Sequence, residues 1–354
     1  MLRKYALSAF VVLMPVLQLS AQDHTIVMLS HDNFTIYDFD PKAGKIINQF
    51  KAQEQAHEAT ITPDGKTIYA AVPEGPHVVV LDAATFKQKA LIESPFFKRT
   101  TPIGNPPRYS ASPHGIATNN EGTKLYVGLE NGEVPGVVII DVKTNKVIKK
   151  LDLLLEGGHY LAVQPKTDKL YYPHHTDNRV VVIDTKTDKV SKIIPVAGGP
   201  VGVAFAPNGD VWLHEDGDGS VTVVDSHTDT VTKVIKTPGV GMGRIAVSPD
   251  GHWAVSTHRN TGDVALIDAR TKELVANFPI NGDHPLPYLG FPLFAPDSKT
   301  LYVMAFQGGE LDSIDVESRK VTARQKLGTA CKVVNAREDC FDPFGGFIRL
   351  TGAK

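Results

Sequence analysis

Three histidines recur at one position of a repeated sequence pattern. His57, His114 and His159 each stand at the start of the first apolar segment of a repeat. Imidazoles at equivalent points around a ring of repeats can converge on its axis, and their nitrogens suit zinc, copper, nickel or iron. We therefore expect a histidine-lined site. Three interpretations stay open at this point: a transition-metal centre, a polar ligand pocket without metal, or histidines that only hydrogen-bond to neighbouring backbone.

Other polar residues fall on the same side of the repeats. His175 and His258 lie at the end of the second apolar segment or in the loop after it, and we include both among the candidate metal ligands. Glu58 could supply an oxygen ligand or a general base. Arg244 and Arg259 occupy equivalent regions and could bind an anionic group bidentately. The alternative for both arginines is a solvated surface charge.

Internal sequence repeats predict the strands that position these residues. One copy runs through Lys124-Leu-Tyr-Val and Val137-Val-Ile-Ile-Asp141, and the next through Lys169-Leu-Tyr-Tyr and Val180-Val-Val-Ile-Asp184. Aspartates that end the third segment fall at seven places: Asp38, Asp82, Asp141, Asp184, Asp225, Asp268 and Asp315. Four alternating segments of strand length per copy, separated by Gly, Pro, Asp or Asn turns, predict four-stranded blades. Seven such units predict a β-propeller.

The repeat resembles that of the YVTN β-propeller family. Lys124-Leu-Tyr-Val and the Val-Ile-Asp-x-x-Thr segment ends carry the resemblance, which covers nearly the whole mature chain. The resemblance implies a single propeller domain. Some YVTN-type propellers have no known chemistry, whereas other propellers hold metal-dependent hydrolases, lyases or copper redox centres, so the fold does not decide the function.

The first copy of the repeat is incomplete. Residues 24–51 supply three strands, and a segment that matches the missing innermost strand stands alone at residues 345–350. Placing this segment in the first blade closes the ring and removes two exposed sheet edges. The predicted fold class is therefore all-β: a seven-bladed propeller of four-stranded antiparallel blades, closed by the C-terminal strand joining the N-terminal blade.

The N-terminus predicts export. Arg3 and Lys4 precede an apolar stretch and small residues suited to cleavage, so residues 1–21 are expected to be a signal peptide and residues 22–354 a single propeller domain. We expect a periplasmic or secreted protein that is not integral to the membrane. In an oxidising compartment, Cys331 and Cys340 would form a local disulfide bond.

Three insertions interrupt the repeat, at Ser94–Ser112, Asn281–Pro292 and Gly328–Pro343. Each joins the outermost strand of one blade to the innermost strand of the next, so all three project from the face that carries the histidines. Long loops on a rigid scaffold often carry function, and these loops could cover the channel mouth. Tyr288 in the second insertion is a candidate ligand-binding residue. The alternative is plain tolerance of insertions.

The sequence leaves two functional classes. We favour an exported binding protein whose partner is a small molecule or another exported protein at this face. The alternative is a metal-dependent hydrolase, lyase or oxidoreductase with histidine-ligated copper, zinc or iron. Without a CxxCH motif, covalent haem attachment is not expected, and no nucleotide-binding motif is present. The formal net charge of −2 gives no support for nucleic-acid binding.

Overall fold

The described chain forms twenty-eight β-strands in seven four-stranded antiparallel sheets. The structure is a computed structural model that describes residues 23–30, 33–98, 111–130, 135–155, 157–280, 289–305, 308–327 and 343–351. The sheets are the blades of a seven-bladed β-propeller, which confirms the predicted fold class. Within these residues, no helix is long and apolar enough to cross a membrane.

Each blade runs from an innermost strand at the central channel to an outermost strand at the rim. Blade 1 consists of β28 (Pro343–Leu350), β1 (His24–Ser30), β2 (Thr35–Asp40) and β3 (Lys45–Lys51). Blade 2 consists of β4 (Glu58–Ile61), β5 (Thr67–Val72), β6 (His77–Asp82) and β7 (Gln88–Glu93). Blade 3 consists of β8 (Ser112–Thr118), β9 (Lys124–Glu130), β10 (Gly136–Asp141) and β11 (Lys146–Asp152). Blade 4 consists of β12 (Ala162–Val163), β13 (Lys169–His174), β14 (Arg179–Asp184) and β15 (Lys189–Pro195).

The remaining three blades follow the same order. Blade 5 consists of β16 (Pro200–Phe205), β17 (Val211–Glu215), β18 (Val221–Asp225) and β19 (Thr230–Ile235). Blade 6 consists of β20 (Ile245–Val247), β21 (Trp253–His258), β22 (Asp263–Asp268) and β23 (Glu273–Pro279). Blade 7 consists of β24 (Pro292–Phe294), β25 (Thr300–Ala305), β26 (Glu310–Asp315) and β27 (Lys320–Lys326).

The C-terminal strand closes the ring as the sequence predicts. Strand β28 pairs antiparallel with β1, with Ile348 opposite Ile26. Arg349 fastens this strand at its end: it donates to the buried Asp38 carboxylate and, over 2.8 Å, to the carbonyl of Ala83 in the neighbouring blade. The closing strand is thus held by side-chain contacts to two blades as well as by the sheet.

The core lies between the blades. In the described residues, seven clusters of buried apolar side chains occupy the seven blade-to-blade interfaces. Ile26 and Met28 of blade 1 pack with Phe291 and Tyr302 of blade 7, for example. The two middle strands of a blade are apolar on both faces because each face meets a neighbour, whereas most residues of the outermost strands are exposed or half-buried.

The recurrent motifs also tie neighbouring blades together. Asp141 accepts hydrogen bonds from the amide and hydroxyl of Thr144, which shapes the turn before the outermost strand. The Lys-Leu-Tyr motif of blade 3 reaches the corresponding turn of blade 4, where Lys124 and Tyr126 contact the carboxylate of Asp188 at 2.8 and 2.6 Å. This contact explains why the repeat contains a lysine and a tyrosine at these positions.

Candidate functional site

Three histidines from consecutive blades meet at the channel mouth, on the face we call the top. His57 directly precedes β4, His114 lies in β8 and His159 precedes β12. Each histidine contributes one ring nitrogen, and these three nitrogens lie within 4.8 Å of one another. Such a group could hold a metal ion. Ring centroids are 4.1 Å apart for His57 and His114, and 4.5 Å apart for His114 and His159. We call these three residues the histidine triad.

A glycine allows the strands that carry the triad to approach closely. A side chain at Gly115 would place its Cβ 2.4 Å from the carbonyl oxygen of His159 and 2.9 Å from the amide nitrogen of Leu161. Only the absence of a Cβ permits this approach of blades 3 and 4. Gly115 therefore sets the spacing of His114 and His159.

Neighbouring polar groups orient two of the three rings. Nε2 of His114 lies 3.3 Å from a carboxylate oxygen of Glu130. Nδ1 of His57 lies 3.3 Å from the side-chain amide of Gln55. A carboxylate that accepts from one ring N–H leaves the lone pair on the other nitrogen, an arrangement common around ligating histidines. The amide nitrogen of Gln55 can only donate, so its contact places the lone pair of His57 on Nδ1.

The surroundings keep two residues of the triad, His57 and His159, neutral. Burial, assisted by the charges of Arg244 and Arg259, lowers the pKa of His57 to about 3. Burial and the charge of Arg244 also lower the pKa of His159 well below its usual value. Nδ1 of His159 is buried and has no hydrogen-bond partner among the described residues. Neutral imidazole is the form that binds a metal ion.

A buried ion pair crosses the channel beside the triad. Arg244, which precedes β20 in blade 6, reaches Glu58 in blade 2 with 3.4 Å between Nη2 and Oε1. Its guanidinium lies 4.8 Å from the ring centre of Phe291 and 6.0 Å from that of Phe344. Burial raises the pKa of Glu58 to about 7, although Arg244 acts in the opposite direction. Two of the predicted ligand-binding residues thus contact each other.

Three further residues of the predicted site are His175, Arg259 and Tyr288. The ring of His175 is 6.1 Å from that of His159, and His175 lines a polar pocket of about 340 Å³ that also contains Asp216. Arg259 is partly buried and near enough to His57 to lower the pKa of that histidine. Tyr288 lies outside the described residues, as do both cysteines, the signal segment and most of the three insertions.

His258 has partners on both ring nitrogens. Its Nδ1 lies 3.1 Å from Asp263 and its Nε2 lies 2.9 Å from the hydroxyl of Thr237. The neighbouring His214 contacts Ser256 and the carbonyl of Gly241 through its two nitrogens. The ligand role that the sequence predicts for His258 stays a prediction. In the structure its Nε2 hydrogen-bonds to Thr237 and to the carbonyl of Gly219, and its Nδ1 makes a close polar contact to Asp263.

Three aromatic residues of the mouth were not among the predicted site residues. The ring centre of Phe344 lies 5.3 Å from that of His57. Tyr160 packs against Phe291, with 5.9 Å between ring centres. Tyr160 directly follows a triad histidine in sequence, and that position was the one available signal. Phe344 directly precedes the predicted closing strand, but the sequence does not show that its side chain contacts His57.

Comparison with known proteins identifies the family. The sequence profile described as "Cytochrome D1 heme domain" matches residues 36–258, more than half of the chain. The chain belongs to the cytochrome D1 heme domain family. The narrower YVTN label stays a resemblance.

Two curated proteins are similar in sequence to part of this chain. The chain is 25% identical to the uncharacterized protein YncE of Salmonella typhi over 245 residues, which are 66% of this chain and 55% of that protein. The YncE protein of Salmonella typhimurium is 26% identical over 249 residues, with the same coverage. The chain therefore matches only about half the length of these curated relatives.

Solved structures share the fold. A functionally unknown protein from Desulfotomaculum acetoxidans has a TM-score of 0.69 at 17% identity, covering 87% of this chain and 98% of that one. The dihydro-heme d1 dehydrogenase NirN, solved in complex with DHE, has a TM-score of 0.62 at 15% identity, covering 95% and 77%. A hydrazine synthase chain from Kuenenia stuttgartiensis has a TM-score of 0.54 at 24% identity, covering 61% and 66%. At these identities the likeness shows the fold alone.

The family name raises the question of a haem, and the triad as a set does not fit one. Haem iron takes protein ligands only along its axis, because the macrocycle occupies the plane around the metal. With 4.1 Å between the ring centres of His57 and His114, no macrocycle could lie between these two side chains. Three imidazoles converging from one side instead suit a bare ion.

Proposed function

We propose that this chain is an exported binding protein that holds one transition-metal ion on His57, His114 and His159 at the top mouth of its channel. The observation that carries the proposal is the convergence of three imidazole nitrogens within 4.8 Å. Copper, zinc and iron are the metals that such a donor set suits.

The separation of the nitrogens is near the value that a shared ion requires. With metal–nitrogen bonds of about 2.0–2.1 Å, two nitrogens on one tetrahedral ion are about 3.4 Å apart. The triad nitrogens lie within 4.8 Å of one another, so binding would draw the most distant pair closer by up to about 1.4 Å. Glu130 would then act as an outer partner that orients His114.

Three protein ligands leave further positions on the ion for a small molecule. Catalytic and binding zinc sites commonly have three protein ligands and one exchangeable position. Export is supported by the apolar N-terminal segment of the sequence. Together these features favour a protein that presents a metal ion to an external ligand at the channel mouth.

Elemental analysis tests the proposal. Protein purified from the compartment to which it is exported should contain about one equivalent of copper, zinc or iron, and should bind one equivalent after stripping. The double variant His114→Ala, His159→Ala should lose this metal. The matched control is His227→Ala, a histidine whose side chain is 73% exposed in a turn of blade 5. Equal metal content in the native protein and the double variant would overturn the proposal.

A further inference from the structure

The central channel is a cavity of about 470 Å³ lined by strand backbone and by mostly apolar side chains. Six of the seven blades contribute an apolar residue near the bottom of the channel: Ile61, Val163, Phe205, Val247, Phe294 and Ile348. This volume falls in the range of small-molecule sites in proteins. An apolar chain that leaves bulk water for the apolar side chains of this wall gains free energy.

One charged side chain lines this cavity among the described residues, and it lies at the top. Arg244 is only 4% exposed and extends across the mouth from blade 6 to Glu58 of blade 2. Phe291 and Tyr160 line the cavity at the same end. The channel therefore has a cationic head and an apolar body.

The guanidinium of Arg244 has capacity for another acceptor. Nη1 donates to the carbonyl of Gly243 at 3.0 Å, and Nη2 makes the 3.4 Å contact to Glu58. Nε is buried and has no hydrogen-bond partner among the described residues. A guanidinium offers five N–H donors, and a carboxylate pairs with two of them in parallel. The edge that includes Nε can receive such a group.

We propose that the channel binds an unbranched aliphatic monocarboxylate, with the carboxylate on Arg244 and the hydrocarbon chain between the blades. The seven inner strands surround an elongated space, and a four-residue strand such as Glu58–Ile61 spans about 13 Å. An unbranched chain matches this shape. The site is separate from the histidine triad and needs no metal ion.

Calorimetric titration of metal-stripped protein with acetate, butanoate, hexanoate and octanoate tests this site. Affinity should rise about fourfold per added methylene as each group leaves water. Hexanoate should bind at least about tenfold more tightly than 1-hexanol, because hydrogen bonds to charged groups are the stronger ones. Affinity that does not change with chain length, or equal binding of acid and alcohol, would overturn the proposal.

Variants separate the head from the body of the site. Arg244→Gln should abolish the preference for hexanoate over hexanol while keeping the dependence on chain length. If the single variant fails to fold because Glu58 loses its partner, the double variant Arg244→Gln, Glu58→Gln removes both charges.

Ala246→Leu should narrow the channel and weaken octanoate binding at least about tenfold while leaving acetate binding unchanged. Arg270→Gln, at a turn between β22 and β23, is the control and should change nothing.

Repeating the titration on metal-loaded protein distinguishes the two sites. Carboxylate binding that appears only with metal, and grows no stronger with chain length, would place the acid on the ion and refute the channel site. Failure to bind metal, with carboxylate binding retained, would refute the function proposed for the triad and leave the channel site standing.

Discussion

Two groups of histidines on one face of the propeller differ in what their nitrogens contact. The triad rings of blades 2 to 4 face one another with centroids 4.1 to 6.5 Å apart. His214 and His258 of blades 5 and 6 are also neighbours, at 5.6 Å, but each bonds to hydroxyl, carbonyl or carboxylate groups of its surroundings. Residue type and position in the repeat are therefore not enough to identify a ligand. The partners of the ring nitrogens distinguish the two groups.

The largest expected effect is the loss of stability when His258 is removed. His258→Ala should cost about 3–5 kcal/mol of unfolding free energy, because it removes a fully buried ring and leaves a cavity in its place. Urea denaturation measures the change, and the metal content should stay at one equivalent. If the variant does not fold, Thr237→Val removes one contact of the same ring and should cost about 1 kcal/mol. Loss of metal in a folded variant would contradict the structural role.

The next effect concerns metal affinity in the triad. His159→Ala should weaken zinc or copper binding by more than about 100-fold. Even the loss of a residue that only contacts a metal ligand weakens metal binding by about 10- to 100-fold. In metal-free protein the same change should cost only about 1 kcal/mol of stability, a common value for one substitution. Competition titration with a chelator gives the affinity. A large stability loss with unchanged affinity would place His159 with the structural histidines.

A smaller effect is expected from the partner of His114. Glu130→Gln should weaken metal binding by about tenfold, because the amide is a poorer acceptor for the ring N–H that faces away from the ion. Glu121→Gln, an acidic residue near the start of the same strand, is the matched control. Equal affinities of both variants would show that Glu130 does not orient His114.

The last effect appears with pH and does not involve the metal. Burial, reinforced by His258, lowers the pKa of His214 to about 3, whereas the unfolded chain has the ordinary value near 6.5. The folded state therefore resists protonation, and its stability is full above about pH 6.5 and falls as pH falls towards 3, by up to about 1.4 kcal/mol per pH unit for this group. Denaturation midpoints at pH 7 and 4.5 should differ less in His214→Gln than in the native protein. An unchanged difference would contradict this assignment.

Much of the fold could be predicted because it rests on local patterns. The alternation of apolar residues, the aspartates at strand ends and the unpaired segment at residues 345–350 gave the blade number and the closing strand. The convergence of His57, His114 and His159 followed because equivalent positions in consecutive blades face the same axis. These features depend on repeat spacing, which a sequence displays directly.

The division between the two groups of histidines could not be predicted, because it depends on tertiary contacts. Asp263 opposes His258 across the hairpin of β21 and β22, and Thr237 reaches it from the connection between blades 5 and 6. Gly239 makes room for that ring, since a Cβ there would lie 2.2 Å from Nδ1 of His258. The pairing of Arg244 with Glu58, which are 186 residues apart, was equally invisible in the sequence.

X-ray absorption at the metal edge of loaded protein tests the central claim most directly. The triad predicts three imidazole nitrogens at about 2.0–2.1 Å from one ion. The His258→Ala variant, or Thr237→Val if that chain does not fold, should give the same spectrum as the native protein, and His159→Ala should not. A first shell without imidazole, or one that changes only when His258 is altered, would contradict the assignment of the metal to His57, His114 and His159.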